Sequence, residues 1–168
     1  KLGMSYIEPE LRENMGEIKM ALERKLPKLI TTKDLNGTFH NHSTWSDGNN
    51  SLLEMAQQAE KLGLKFISFN DHCTPQRIVN PVTEKTLGKY LREIEKVRKK
   101  VGIRVFSGLE VDILKDGSMA LPKKRMKELD VVVASVHMAL KMDTKTMTKR
   151  VCTALENNPV NILGHPTG

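Results

Sequence analysis

Apolar residues gather in five short runs, at 37–42, 65–71, 104–110, 130–137 and 161–165, each rich in Phe, Ile, Val or Leu and each closing on a polar residue. Most are continuous, not alternating, as expected of strands covered on both faces. Between the runs the apolar spacing becomes helical. Ser51 and Glu54 form a capping box ahead of Leu52, Met55, Ala56, Ala59 and Leu62, which share one helical face until Gly63 stops the helix. A second helix is expected from about Thr83, with Leu87, Leu91, Ile94, Val97 and Val101 on a stripe that ends at Gly102. A short third helix follows Pro122. A fourth starts near Asp143 and is expected to bury Met147, Val151, Ala154 and Leu155 before Pro159. Strands alternating with helices in this rhythm predict an α/β fold, with parallel strands joined by crossover helices.

Residues 1–34 lack that rhythm. Pro9, Pro27 and the mixed charges around Leu11, Arg12 and Glu13 read as short helices and linker, a lead-in to a domain that starts at residue 35. The first residue is lysine, as expected of a fragment or a processed piece.

Composition narrows the class. A chain of 168 residues suffices for one domain with a real core, and 39% hydrophobic with 28% charged residues excludes a disordered chain. No apolar run approaches the roughly 20 residues of a membrane span, and the start does not read as a secretory signal. The two cysteines, Cys73 and Cys152, make no disulfide framework and predict free thiols in the cytoplasm. The net charge of +7 and pI near 9.4 favour an anionic partner. Residues 84–100 carry seven basic and three acidic side chains, and 115–127 carry five and one. Such faces attract a nucleic-acid backbone, or they are simply the solvated surface of a basic protein. With 4% aromatics, stacking on bases is not the main mode.

The candidate chemistry lies in the histidines. All five (His40, His42, His72, His137 and His165) fall at the C-terminal ends of predicted strands, the edge where parallel α/β folds collect their active sites. Glu110 also ends a strand, and Asp47 follows one closely. His40 and His42 stand two apart on an extended segment and so share a face. The set exceeds what one tetrahedral ion uses. Two or three divalent ions are therefore expected, with Glu110 as the bridge; manganese, zinc and iron all suit such ligands. Clustered ions activate a shared water and clamp the oxygens of an in-line displacement, which points to phosphate-ester hydrolysis without a side-chain nucleophile. Glu110, His42 and His72 are the candidate catalytic residues. Arg77 and Lys141, on loops after His72 and His137, are candidates to hold a substrate phosphate. Trp45 reads as a locally packed loop aromatic before a base-stacking one. Asp71 is either a partner of a ligand histidine or a cap, and Asp112 reads as a structural salt bridge.

Phe39-His40-Asn41-His42 with Ser46-Asp47-Gly48, Asn70-Asp71-His72, Gly108-Leu109-Glu110-Val111-Asp112, Ala134-Ser135-Val136-His137 and Gly164-His165-Pro166 resemble the ordered motifs of the polymerase and histidinol phosphatase (PHP) domain. Within that family the likeness is to the C-terminal domain of bacterial and archaeal family X DNA polymerases, whose junction segment resembles Tyr6 to Glu13. The resemblance implies a distorted (β/α)7 TIM-like barrel with a trinuclear site. His40, His42 and Glu110 would hold one ion, Glu110, His137 and His165 a second, and Asp47 with His72 a third. It implies 3′→5′ exonuclease or related 3′-end phosphoesterase activity, commonly with manganese, and DNA as partner. A small-molecule phosphatase, for instance on histidinol phosphate, and a non-catalytic scaffold of a polymerase are the alternatives. The family's final Asp-x-His motif is absent, so the barrel is expected to be truncated after its fifth strand. The polymerase carboxylates are absent too, and polymerisation is not expected.

Overall fold

The computed structural model describes residues 2–76 and 80–167. The chain forms two compact units, Lys1–Leu35 and Asn36–Gly168. The first holds 3-10 turns at Pro9–Leu11 and Thr32–Asp34 around helix α1 (Glu17–Leu22). Ala21 is buried there, while Met15, Ile18 and Leu22 stay exposed. Thr31 and Asp34 cap the second turn reciprocally.

The second unit runs β1 (Gly37–Asn41), α2 (Leu52–Lys61), β2 (Phe66–Cys73), α3 (Glu84–Arg98), β3 (Arg104–Asp112), α4 (Lys123–Met126), β4 (Val131–Ser135), α5 (Thr144–Asn157) and β5 (Ile162–Leu163). The five strands form one sheet in the order β1-β2-β3-β4-β5, all parallel. Flat, β1 and β5 would lie about 19 Å apart, four strand spacings. Yet the rings of His40, on β1, and His165, just past β5, are 5.6 Å apart. The sheet is therefore curled into a half-barrel, which turns its C-terminal edge inward.

Local sequence explains the helices. The Ser51 hydroxyl accepts from the Glu54 N–H, that of Thr83 from Thr86, and the Asp143 carboxylate from Thr146, so each N-terminus is satisfied by its own chain. Leu52, Ala56, Leu87, Ile94 and Val97 pack with Ile67, Phe69, Leu109 and Val111 into one core between helices and sheet. Two expectations fail here. Leu62 is 68% exposed, because it is the C-cap of α2 and has left the buried stripe. Leu155 is 37% exposed, at the rim of a face whose centre is held by Arg150 and Ala154. β2 and β3 run past their expected ends to Cys73 and Asp112, whereas β4 stops at Ser135 and β5 spans two residues. His137 and His165 accordingly sit on loops beyond their strands. β5 is an edge of the sheet, and Met147, Val151 and Leu163 line an open cleft of about 450 Å³ beside it.

A candidate metal centre at the strand ends

Glu110 is the middle of the site. It lies near the end of β3, the central strand, and its side chain is 1% exposed. Around its Oε1 stand Nε2 of His40 at 2.9 Å, of His137 at 3.2 Å and of His165 at 2.8 Å. Its Oε2 faces His72 Nδ1 at 3.0 Å and His42 Nε2 at 3.5 Å. Asp47 closes the far side, 3.2 Å from His42 Nδ1 and 3.4 Å from His72 Nε2. Three triads bring their ligand atoms within 4.8 Å of one another: His40, His42 and Glu110; His42, Asp47 and His72; and His72, Glu110 and His137.

His40 and His42 converge by a route other than simple alternation. His40 has φ 61°, and the β1–β2 register slips between Thr38 and Asn41, a bulge that re-aims the strand. Side chains take over the bonding there. The Asn70 side-chain oxygen accepts from the His40 N–H at 3.0 Å, and the Asn41 amide donates to the Ser68 carbonyl at 2.9 Å. Asp47 is delivered by a tight turn in which the Gly48 N–H donates to the Ser43 carbonyl, 2.9 Å away. A Cβ on Gly48 would overlap the His42 carbonyl. Asp71, fully buried, fastens that turn. It accepts from the Ser43 N–H (2.7 Å), the Ser43 hydroxyl (2.9 Å), the Ser46 hydroxyl (2.7 Å) and the Tyr90 hydroxyl on α3 (3.1 Å).

Asp112 forms a salt bridge, and its partner is a member of the histidine cluster. Its carboxylate accepts from His137 Nδ1 at 2.7 Å and from the Thr74 hydroxyl at 2.6 Å. Arg150, 3% exposed, braces the loops beyond both strands: Nε donates to the Leu114 carbonyl (2.8 Å), Nη1 to those of Met138 (3.0 Å) and Ala139 (3.3 Å), and Nη2 to Ile113. Trp45 packs edge-on against Tyr90 and donates to Glu93 at 3.1 Å, the packed role. Lys141 is exposed on the loop after His137. Arg77 lies outside the described residues. Tyr90 and Arg150 were missed by sequence reasoning. Tyr90 lay on the expected helix one turn before Ile94, so helical phase alone could have placed it in the core. For Arg150 no local signal exists.

The donor set fits divalent cations better than protons. A carboxylate oxygen offers two lone pairs, and three imidazole nitrogens crowd Glu110 Oε1. His42 Nδ1 and His72 Nδ1 are buried without a hydrogen-bond partner, although carboxylate oxygens stand 3.2 and 3.0 Å away. Burial pushes the Glu110 carboxyl up, but the surrounding imidazoles of His137 and His72 outweigh it and hold the group well below the usual carboxylate range. Burial, then neighbouring His72, lowers His42, keeping a neutral ligand nitrogen. Glu110 raises His72. The Asp112 carboxylate, then Glu110, lift His137 to about 10.

A curled parallel sheet with histidines and carboxylates converging on its C-terminal rim defines an α/β domain whose rim could hold metal ions. The PHP domain family matches residues 38–159, and the chain belongs to that family. It is 34% identical over 167 residues, 99% of its length, to the DNA polymerase/3′-5′ exonuclease PolX of Bacillus subtilis, covering 29% of that protein. It is 30% identical over 121 residues to a probable phosphatase of Caldanaerobacter subterraneus, covering 69% of this chain and 45% of that one. A probable phosphatase of Thermoanaerobacter is 31% identical over 134 residues, covering 76% and 52%. The chain thus spans between three-tenths and about half of these relatives. Among the described residues no helix is long and apolar enough to cross a membrane.

Proposed function

We propose that this chain is a divalent-metal-dependent phosphoesterase domain that hydrolyses phosphate esters at DNA 3′ ends, and that residues 1–34 join it to a preceding polymerase-type domain. The convergence of five imidazoles within 3.5 Å of one buried carboxylate carries the reading. The DNA assignment draws on alignment length. The relative named as a polymerase and exonuclease aligns over 99% of the chain, lead-in included, against 69% and 76% for the named phosphatases.

His40, His42 and Glu110 would hold one ion, Glu110 with His137 and His165 a second, and Asp47 with His72 a third; manganese, zinc and iron all suit these donors. When bound, such ions supply an activated water and a clamp for phosphoryl oxygens. Glu110 would be shared between sites, and His42 and His72 turn their second nitrogens to Asp47. Lys141, exposed on the loop after His137, pairs with a substrate phosphate, and the sequence position of Arg77 after His72 gives it the same role.

The test is digestion of a 5′-labelled single strand by the manganese-loaded chain, beside Glu110→Gln. Shortening from the 3′ end, lost in the variant, supports the reading; activity that survives Glu110→Gln refutes it. The relatives named as phosphatases favour a second reading, a small-molecule phosphatase. Parallel assay of histidinol phosphate decides between the two.

A further inference from the structure

We infer that the outer face of α3 is a docking surface for the backbone of double-stranded nucleic acid. Lys85, Lys89, Arg92, Lys96 and Lys99 follow one another at intervals of four, three, four and three residues. At 100° per residue they fall within an arc of about 80° and span about 21 Å of helix. Leu87, Tyr90, Ile94 and Val97 occupy the opposite, buried face, so the cations point directly away from the core.

All five are exposed, and none of their side chains has a hydrogen-bond or ion-pair partner among the described residues. The acidic groups of the helix do not neutralise them. Glu93 is engaged by the Trp45 indole at 3.1 Å and Glu95 by Arg98, both at the flanks of the arc. Only Glu84, in the first turn, is left near the stripe.

Helix α3 begins close to the strand ends that carry the histidine cluster. The Val82 N–H donates to the carbonyl of His72, a residue of the histidine cluster, at 2.8 Å. Helix α3 begins two residues later, so its cations descend the outer wall from the rim. A duplex carries one phosphate per roughly 1.7 Å of axis, and a row of fixed cations tracking away from the site complements it. Among the described residues no aromatic lies on this face for single-stranded bases to stack on, which favours duplex over single strand. The inference rests on nucleic acid being the substrate class, and places the paired region behind the 3′ end on α3.

The experiment measures binding by fluorescence anisotropy, in EDTA so that no hydrolysis is needed, over a range of salt. The probe is a 20-base-pair duplex with a short 3′ tail, beside a single strand of equal length. Lys89→Gln, Arg92→Gln and Lys96→Gln together are expected to flatten the slope of log affinity against log salt by roughly 2 to 3. Hydrolysis of bis(p-nitrophenyl) phosphate by the manganese-loaded chain is expected to keep its kcat and KM. An unchanged slope overturns the inference. So does an equal flattening by a control triple on α4 and its C-terminal edge (Lys123→Gln, Lys124→Gln and Lys127→Gln), or stronger binding to anionic lipid vesicles than to duplex. A flattened slope in a chain that never shortens DNA sinks the nuclease reading and leaves the surface standing.

Discussion

Asp112 Oδ1 lies 2.7 Å from His137 Nδ1 and so fixes the orientation of that ring. A carboxylate only accepts, so Nδ1 donates to Asp112 and Nε2 is the nitrogen turned to the crowded side of Glu110. Replacing Asp112 by Asn weakens this grip without emptying the space. Manganese affinity, followed by titration, should fall about 10- to 100-fold with circular dichroism unchanged. Unaltered affinity would return Asp112 to a purely structural role.

The Gly48 turn is as demanding as the ligands it positions. Gly48→Ala forces a methyl group into the His42 carbonyl, and the turn must open. The expected cost is about 1–3 kcal/mol in thermal or urea unfolding. Metal uptake should fall further than for a surface Gly→Ala such as Gly102→Ala, since Asp47 moves with the turn.

Arg150 donates to four carbonyls, of which that of Leu114 also accepts from the Gly117 N–H at 2.9 Å. Arg150→Met should destabilise by about 3 kcal/mol or more, read as a lowered urea midpoint. Lys should not rescue, because a single ammonium cannot reproduce the guanidinium fork. Full recovery with Lys would show that only the charge matters.

Acid sensitivity has an identifiable contributor away from the metal centre. Burial raises the Asp130 carboxyl, but the Ser107 N–H and hydroxyl and the Arg98 guanidinium together hold it below its ordinary 3.8. A depressed folded-state value means stability present above the ordinary carboxylate range and lost as the pH falls through the folded-state value. Asp130→Asn should therefore be less stable than the parent near neutrality, with the gap closing at low pH. A gap of constant size from neutral to acid would remove Asp130 from the account.

Local features were legible before any coordinates. The caps at Ser51, Thr83 and Asp143 each bond within three residues, so the residues that specify them are adjacent in the chain. Continuous apolar runs marked β2, β3 and β4, because a strand covered on both faces has no polar side to show; β1 and β5, only half-buried, were marked by shorter runs. The family could be recognised for the same reason, its motifs being short and ordered. The substrate side was less legible. Trp45 could be placed against Tyr90 only once α3 was seen to pass it.

Chain order put five histidines, Glu110 and Asp47 near strand ends, but closeness in space required the sheet to curl. That curl brings β1 toward β5, and the pairs that exploit it join distant segments: Ser43 to Asp71, Asp112 to His137, Arg150 to Ile113 and Leu114. The bulge at His40 is of the same kind, since Asn70 from a neighbouring strand takes the N–H that regular pairing would have used. Periodicity reports which way a residue faces, because burial leaves a repeating trace along the chain. Which buried polar group answers which is decided by packing between far segments, and packing leaves no such trace.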